Sequence, residues 1–161
     1  MTPVEARRAA AAQRSFERAC VGFGFNSVAV PFSSEFTRLL YMISDIAVWF
    51  HDNPIRLQWL GQWSGYEPLA NSAWFDRFAE VVERHRDEET ARYQYTAEEA
   101  VVAFCGAVTA AHLYWRRTGY PDDYVERHML MLVNVLRTEP DIARKSVVEA
   151  LAMREINEQH P

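Results

Sequence analysis

Histidine is the side chain best suited to chemistry near neutral pH, and five histidines are spread along this chain. None stands in a Glu-x-x-His pattern, an HExxH pair or a paired Cys/His spacing, the arrangements by which helices gather a metal. A metal site would need His51, His112 and His128 to meet in space, and their spacing implies no metal. His112 stands apart from the others, because it shares the stripe Val101, Cys105, Val108, His112 and Trp115 in the most apolar segment. A buried polar ring must find a partner. His112 therefore either hydrogen-bonds a neighbouring carbonyl or faces a cavity and orients a ligand. His85 and Glu89, at i and i+4 in a charged stretch, are expected as a solvated surface pair.

The tryptophans Trp49, Trp59, Trp63, Trp74 and Trp115 pose the same choice between core packing and the aromatic wall of an apolar pocket. Trp59, Trp63, Phe78, Phe104 and His112 are the residues expected to line such a pocket. Catalysis has little to build on: no GxSxG, no glycine-rich phosphate loop, no carboxylate pair in an apolar run. Cys20 and Cys105 lie in apolar helical contexts without an activating base, so both read as buried thiols. No catalytic residue, metal or cofactor is expected, and the chain is not read as an enzyme.

The elements that must position these residues are helical. Thr2, Pro3 and Glu5 form a capping-box start for a basic first helix that Gly22 and Gly24 stop. A second, amphipathic helix begins at Ser33 or Ser34, carries Phe36, Leu39, Leu40, Ile43, Ala47 and Phe50, and ends at Asn53 and Pro54. Pro54 opens a short third helix, and Ser72 caps a fourth that dissolves into the solvated stretch His85 to Arg92. Thr96 and Glu99 repeat the capping box ahead of Val101 to Trp115, which is apolar nearly all round and so expected to be buried on several sides. Gly119 ends it, Asp122 or Asp123 caps a sixth helix, and Pro140 starts a last one. Asn26 to Phe32 alternates in a two-residue period but has no partner strand, and reads as an extended connection. The expectation is an all-α single-domain bundle of about seven helices.

With 161 residues, 49% of them hydrophobic, the chain can bury a real core, and no apolar run reaches the roughly 20 residues of a membrane span. A net charge of −5 argues against a surface dominated by phosphate contacts, although Arg7, Arg8, Arg14 and Arg18 make the first helix locally basic. The N-terminus lacks the apolar core of a signal peptide, so a cytoplasmic protein without membrane contact is expected.

The stretch Tyr114 to Asp123, YWRRTGYPDD, followed by an amphipathic helix, resembles the last helix pair of the tetracycline-repressor (TetR) family of bacterial regulators. Ile46 to Leu60, IAVWFHDNPIRLQWL, is similar to that family's step from a long helix through a His/Asn-Pro turn into a short one. The opening AAAAQRSFERACVGFGFNSVAV resembles its first helix and the turn beyond, and PFSSEFTRLL resembles its junction into the long connecting helix. What the family places between them, the second helix and the recognition helix, is missing. About ten residues from Gly22 to Phe32, broken by glycines and a proline, cannot hold two helices and a turn. The resemblance implies a remnant of a DNA-binding region over residues 1–32 and a ligand-binding, dimerising domain over 33–161.

The expected function is a TetR-like regulatory module that binds an apolar or aromatic small molecule and forms a homodimer, or pairs with a full-length relative, without sequence-specific DNA binding. A DNA-binding repressor with a divergent N-terminus, touching DNA through Arg7, Arg14 and Arg18, is the alternative, and an unrecognised all-α enzyme the third. The dimer interface is expected on the sixth helix, at Tyr124, Val125, Met129, Leu132, Val133 and Leu136, because one layer of helices within a subunit would leave that stripe in water.

Overall fold

Capping chemistry sets where the helices begin. In the computed structural model, which describes residues 2–22, 32–61, 73–87, 94 and 96–159, seven helices and no strand occur among the described residues. They are α1 (Pro3–Gly22), α2 (Glu35–Asp52), α3 (Pro54–Gly61), α4 (Ala73–Asp87), α5 (Ala97–Thr118), α6 (Tyr124–Leu136) and α7 (Pro140–Gln159). At the head of α1 the Glu5 carboxylate accepts from the Thr2 N–H at 2.6 Å while Thr2 Oγ1 accepts from the Glu5 N–H at 3.2 Å. Thr96 and Glu99 make the same reciprocal pair at the start of α5. Ser34 caps α2, its Oγ accepting from the Thr37 N–H at 3.0 Å. Asp123 stands at the cap of α6 but makes no capping bond, because Arg127 Nε holds its carboxylate at 2.7 Å.

The stops are equally local. The Asn53 N–H donates to the Trp49 carbonyl at 2.9 Å, and Pro54 turns the chain into α3. Gly119, at φ 105°, ends α5 in a conformation that a side chain would strain. Arg137 closes α6 at φ 50°, and Pro140 opens α7 with the Glu139 carboxylate accepting from the Asp141 and Ile142 N–H groups.

The bundle is built around α2, which touches α3, α4, α5, α6 and α7, while α1 lies along α3 and reaches α4. Eleven residues of α2 are buried, from Phe36 to Phe50, so the helix that reads as amphipathic is the surrounded one. By contrast α5, expected to be buried on several sides, buries one face and exposes Ala103, Gly106, Ala107 and Ala110. Apart from Tyr114, its apolar outer face consists of small residues, which leave little hydrophobic area in water. The extended connection expected over Asn26 to Phe32 lies outside the described residues except for Phe32, as do Ser72, Glu89 and the turn at 65–68.

The α6 stripe corrects the expected dimer interface. Met129, Leu132 and Leu136 are completely buried and Val133 nearly so, all within one chain and in the core that α2 organises. Val125 is half-buried against the same core, and Tyr124 is turned toward the end of α2, where it stacks on His51. The α6 side chains that face outward are others, Leu130 among them.

Candidate functional site

Three elements converge at one end of the bundle. The last turn of α2 brings Trp49, Phe50 and His51. The stripe of α5 brings Phe104 and, eight residues on, His112, followed by Trp115. The Gly119 turn then folds Tyr120 back, and Tyr124 and His128 follow at four-residue steps on the start of α6.

His112 is fully buried and uses both ring nitrogens. Its Nδ1 lies 2.9 Å from the Tyr120 hydroxyl, and its Nε2 lies 2.8 Å from Nδ1 of His128. His128 is also fully buried, and its remaining nitrogen, Nε2, has no hydrogen-bond partner. A neutral imidazole carries one N–H, so protons in this chain can point in either of two directions. If the Tyr120 hydroxyl donates to His112, then His112 donates to His128, and His128 ends in an unused N–H. In the opposite order His128 donates to His112, His112 donates to Tyr120, and His128 ends in an unused lone pair. Both orders satisfy the inner bonds and leave the same atom unpaired.

The walls are aromatic. Phe50 meets His112 edge-on with ring centroids 5.2 Å apart, Phe104 meets His128 at 5.5 Å, and Phe78 backs Phe104 at 5.5 Å. Trp115 lies 5.1 Å from His112. Toward the surface His51 stacks on Tyr124 at 4.9 Å and abuts Tyr120 at 4.7 Å, while its Nδ1 reaches the Asp52 carboxylate at 2.8 Å. A column of rings thus runs from exposed His51 to buried His128.

Burial governs the charge state of this column. It pulls His112 down to about 3, helped by the nearby charge of His51, and holds His128 well below the ordinary imidazole value. Burial, with Tyr124 beside it, pushes the Tyr120 phenol up to about 12. At neutral pH the buried groups are therefore uncharged. They offer hydrogen bonds to a neutral polar group and make a weak proton acceptor for general-base catalysis, which works best with a pKa near the operating pH.

Of the residues expected to wall a pocket, Phe78, Phe104 and His112 do come together. Trp63 lies outside the described residues, and the Trp59 side chain on α3 is likewise outside what the structure describes. The partner of His112 is not a carbonyl, as one of the two expectations had it, but a tyrosine and a second histidine. Tyr120 went unnoticed in the sequence, although its four-residue steps to Tyr124 and His128 were visible there. His51, His112 and His128 gather in one region, yet among the described residues no group of three or more His, Cys, Asp or Glu is placed to hold a metal.

His85 also departs from expectation. It is buried, stacked flat on Phe36 at 4.0 Å with its Nε2 3.4 Å from Thr138 Oγ1, and burial pulls it down to about 4. Phe36 offers an apolar ring face that outweighs the charged sequence around His85. Cys105 is a buried thiol pushed up to about 12, which keeps it protonated and unreactive. A cleft of about 780 Å³ opens elsewhere, between α4 and the start of α5, and none of the expected wall residues is among its described lining residues.

The chain matches no protein-family model, and no curated protein or solved structure matches it. Among the described residues no helix is long and apolar enough to cross a membrane.

Proposed function

We propose that this chain is a regulatory binding module of the TetR type, which takes up an aromatic small molecule bearing one neutral polar group, pairs with itself, and does not read DNA sequence. The observation that carries the reading is the unpartnered His128 Nε2 within aromatic walls. A buried polar atom without a partner costs about 1–3 kcal/mol, and a ligand hydroxyl or N–H that meets it recovers that cost. The uncharged state of His112 and His128 favours a neutral ligand and binding over acid–base catalysis. Such a ligand enters past half-buried Tyr120 and Tyr124 and parts the rings of Phe50 and Phe104. A polar group fixed within apolar walls is the usual construction of a small-molecule site.

Self-association uses the outward face of the α5–α6 pair in this reading. Exposed Ala103, Gly106, Ala107 and Ala110 let a second copy of α5 approach closely, and Tyr114 and Leu130, 55% and 38% exposed, supply larger apolar contacts around them. Two copies about a two-fold axis then form a four-helix contact.

The test is a thermal-shift and tryptophan-fluorescence screen with phenol, indole and benzene, alongside anisotropy with duplex DNA. Phenol and indole are expected to raise the melting temperature in proportion to occupancy, and benzene to do so less. DNA association is expected to be weak and steeply salt-dependent. Absence of any shift with all three probes, or protection of one operator sequence at physiological salt, contradicts the reading.

A further inference from the structure

On the binding reading above, we infer that the polar end of the histidine column is two-way: it takes neutral aromatic ligands that donate a hydrogen bond and neutral aromatic ligands that only accept one, each selecting its own proton order along Tyr120, His112 and His128. A histidine in a ligand site ordinarily has one polarity, because the bond its inner nitrogen makes to a carbonyl or carboxylate fixes which nitrogen carries the proton. His128 has no such anchor. Its Nδ1 is held by His112 Nε2 at 2.8 Å, and His112 Nδ1 is held in turn by the Tyr120 hydroxyl at 2.9 Å. Each of these groups can donate or accept, so none of them sets the order for the others. The polarity of the fully buried, unpartnered Nε2 is therefore left to whatever meets it.

A ligand N–H or O–H finds a lone pair on Nε2 when His128 donates to His112 and His112 donates to the Tyr120 oxygen. A ligand carbonyl finds an N–H there when the Tyr120 hydroxyl donates to His112 and His112 donates to His128. Passing from the first order to the second moves each proton one place along, from His128 to His112 and from His112 to Tyr120. The phenol proton leaves to water, which half-buried Tyr120 lies near, and water returns one to Nε2 while the rings are parted for ligand entry. Both orders hold the same number of protons and no net charge, in keeping with the burial that holds both imidazoles uncharged. A polar group fixed in one sense would instead leave an unpaired atom against ligands of the wrong sense, which is how sites commonly reject them. The aromatic walls at Phe50 and Phe104 are indifferent to that sense. The ligand class is thus indoles and phenols on one side, aryl aldehydes and ketones on the other. Aromatic acids and amines fall outside it, because a charge buried between uncharged rings is costly.

Nitrogen-15 spectra of the histidine rings in the full chain test this with indole, which only donates, and acetophenone, which only accepts, against their apolar counterparts indene and α-methylstyrene. Both polar ligands are expected to bind, with affinities within about tenfold of each other and each about fivefold tighter than its apolar counterpart. With indole, Nε2 of His128 and Nε2 of His112 should both be free of protons, and with acetophenone both should carry one. Binding of one polar ligand without the other, or of both with the same proton order, overturns the two-way site and leaves the binding reading standing. A switch at His128 that His112 does not follow does the same. Binding of neither polar ligand, or of both no more tightly than their apolar counterparts, overturns the two together.

Discussion

His112 and His128 share a hydrogen bond of 2.8 Å between Nε2 and Nδ1, and the nitrogen on the far side of His128 is buried without a partner. Each ring satisfies part of the other's hydrogen-bonding need, so the two are energetically coupled. His112→Phe strips His128 of its remaining bond, and His128→Phe leaves Nε2 of His112 unpaired. Each change is expected to cost about 1–3 kcal/mol. The double variant removes both stranded groups and should cost less than the sum by about 1 kcal/mol or more. Urea denaturation of the four proteins reads this directly, and strict additivity counts against the coupling.

Acid should destabilise the fold well before the carboxylates titrate. In the unfolded chain imidazoles protonate near the ordinary value of about 6.5, whereas in the fold burial holds His85 at about 4, His112 at about 3 and His128 well below 6.5. Below pH 6.5 the unfolded state thus binds protons that the native state refuses, so stability is complete above that pH and falls as pH drops toward 4 and on toward 3. The urea midpoint should be level above about pH 7 and decline below about pH 6. In the double His→Phe variant the decline should be shallower, with His85 alone of the three remaining. A midpoint that stays flat down to about pH 5 contradicts the buried neutral histidines.

Leu132 has no exposed surface within one chain. Leu132→Ala is expected to cost about 2–5 kcal/mol, and the loss should not depend on protein concentration, as the loss of a core contact would not. Leu132→Glu should prevent folding altogether. A folded, monomeric Leu132→Glu variant would return this residue to a subunit interface.

Gly106 separates fold from association. A Cβ added there meets no atom within 4 Å, so Gly106→Ala should stabilise α5 by about 0.5–1 kcal/mol. Gly106→Arg starts from the same open Cβ position on an exposed face and places a long charged side chain there. Sedimentation should show wild type as a dimer at micromolar concentration and Gly106→Arg as a folded monomer. A wild-type monomer, or a dimeric Gly106→Arg variant, removes α5 from the interface.

Helix limits were largely legible in the sequence because capping is local chemistry: Thr2 with Glu5, Ser34, Thr96 with Glu99, Gly119 and Pro140 all act within a few residues of themselves. Burial was less legible because it depends on neighbours distant in sequence. Apolar count alone led to the expectation that α5 is buried on several sides, whereas the large side chains of α2 occupy the centre and the small ones of α5 tolerate water. His85 was hidden by the charges around it, since nothing local announces the Phe36 ring. The α6 stripe was correctly read as apolar and wrongly read as uncovered, because only the placement of α2 shows what covers it. For the site, His112 stood out by its apolar company, while its bonds to Tyr120 and His128 depend on the Gly119 turn that brings α6 back alongside α5.

The central claim is that His128 Nε2 receives the polar group of a ligand, and nitrogen-15 spectra of the histidine rings during a phenol titration test it most directly. The account predicts a saturable shift of the His128 Nε2 resonance with phenol, lost in the His128→Phe variant and absent with benzene. A His128 Nε2 resonance that stays fixed while phenol saturates the protein, or with no phenol binding at all, would contradict it.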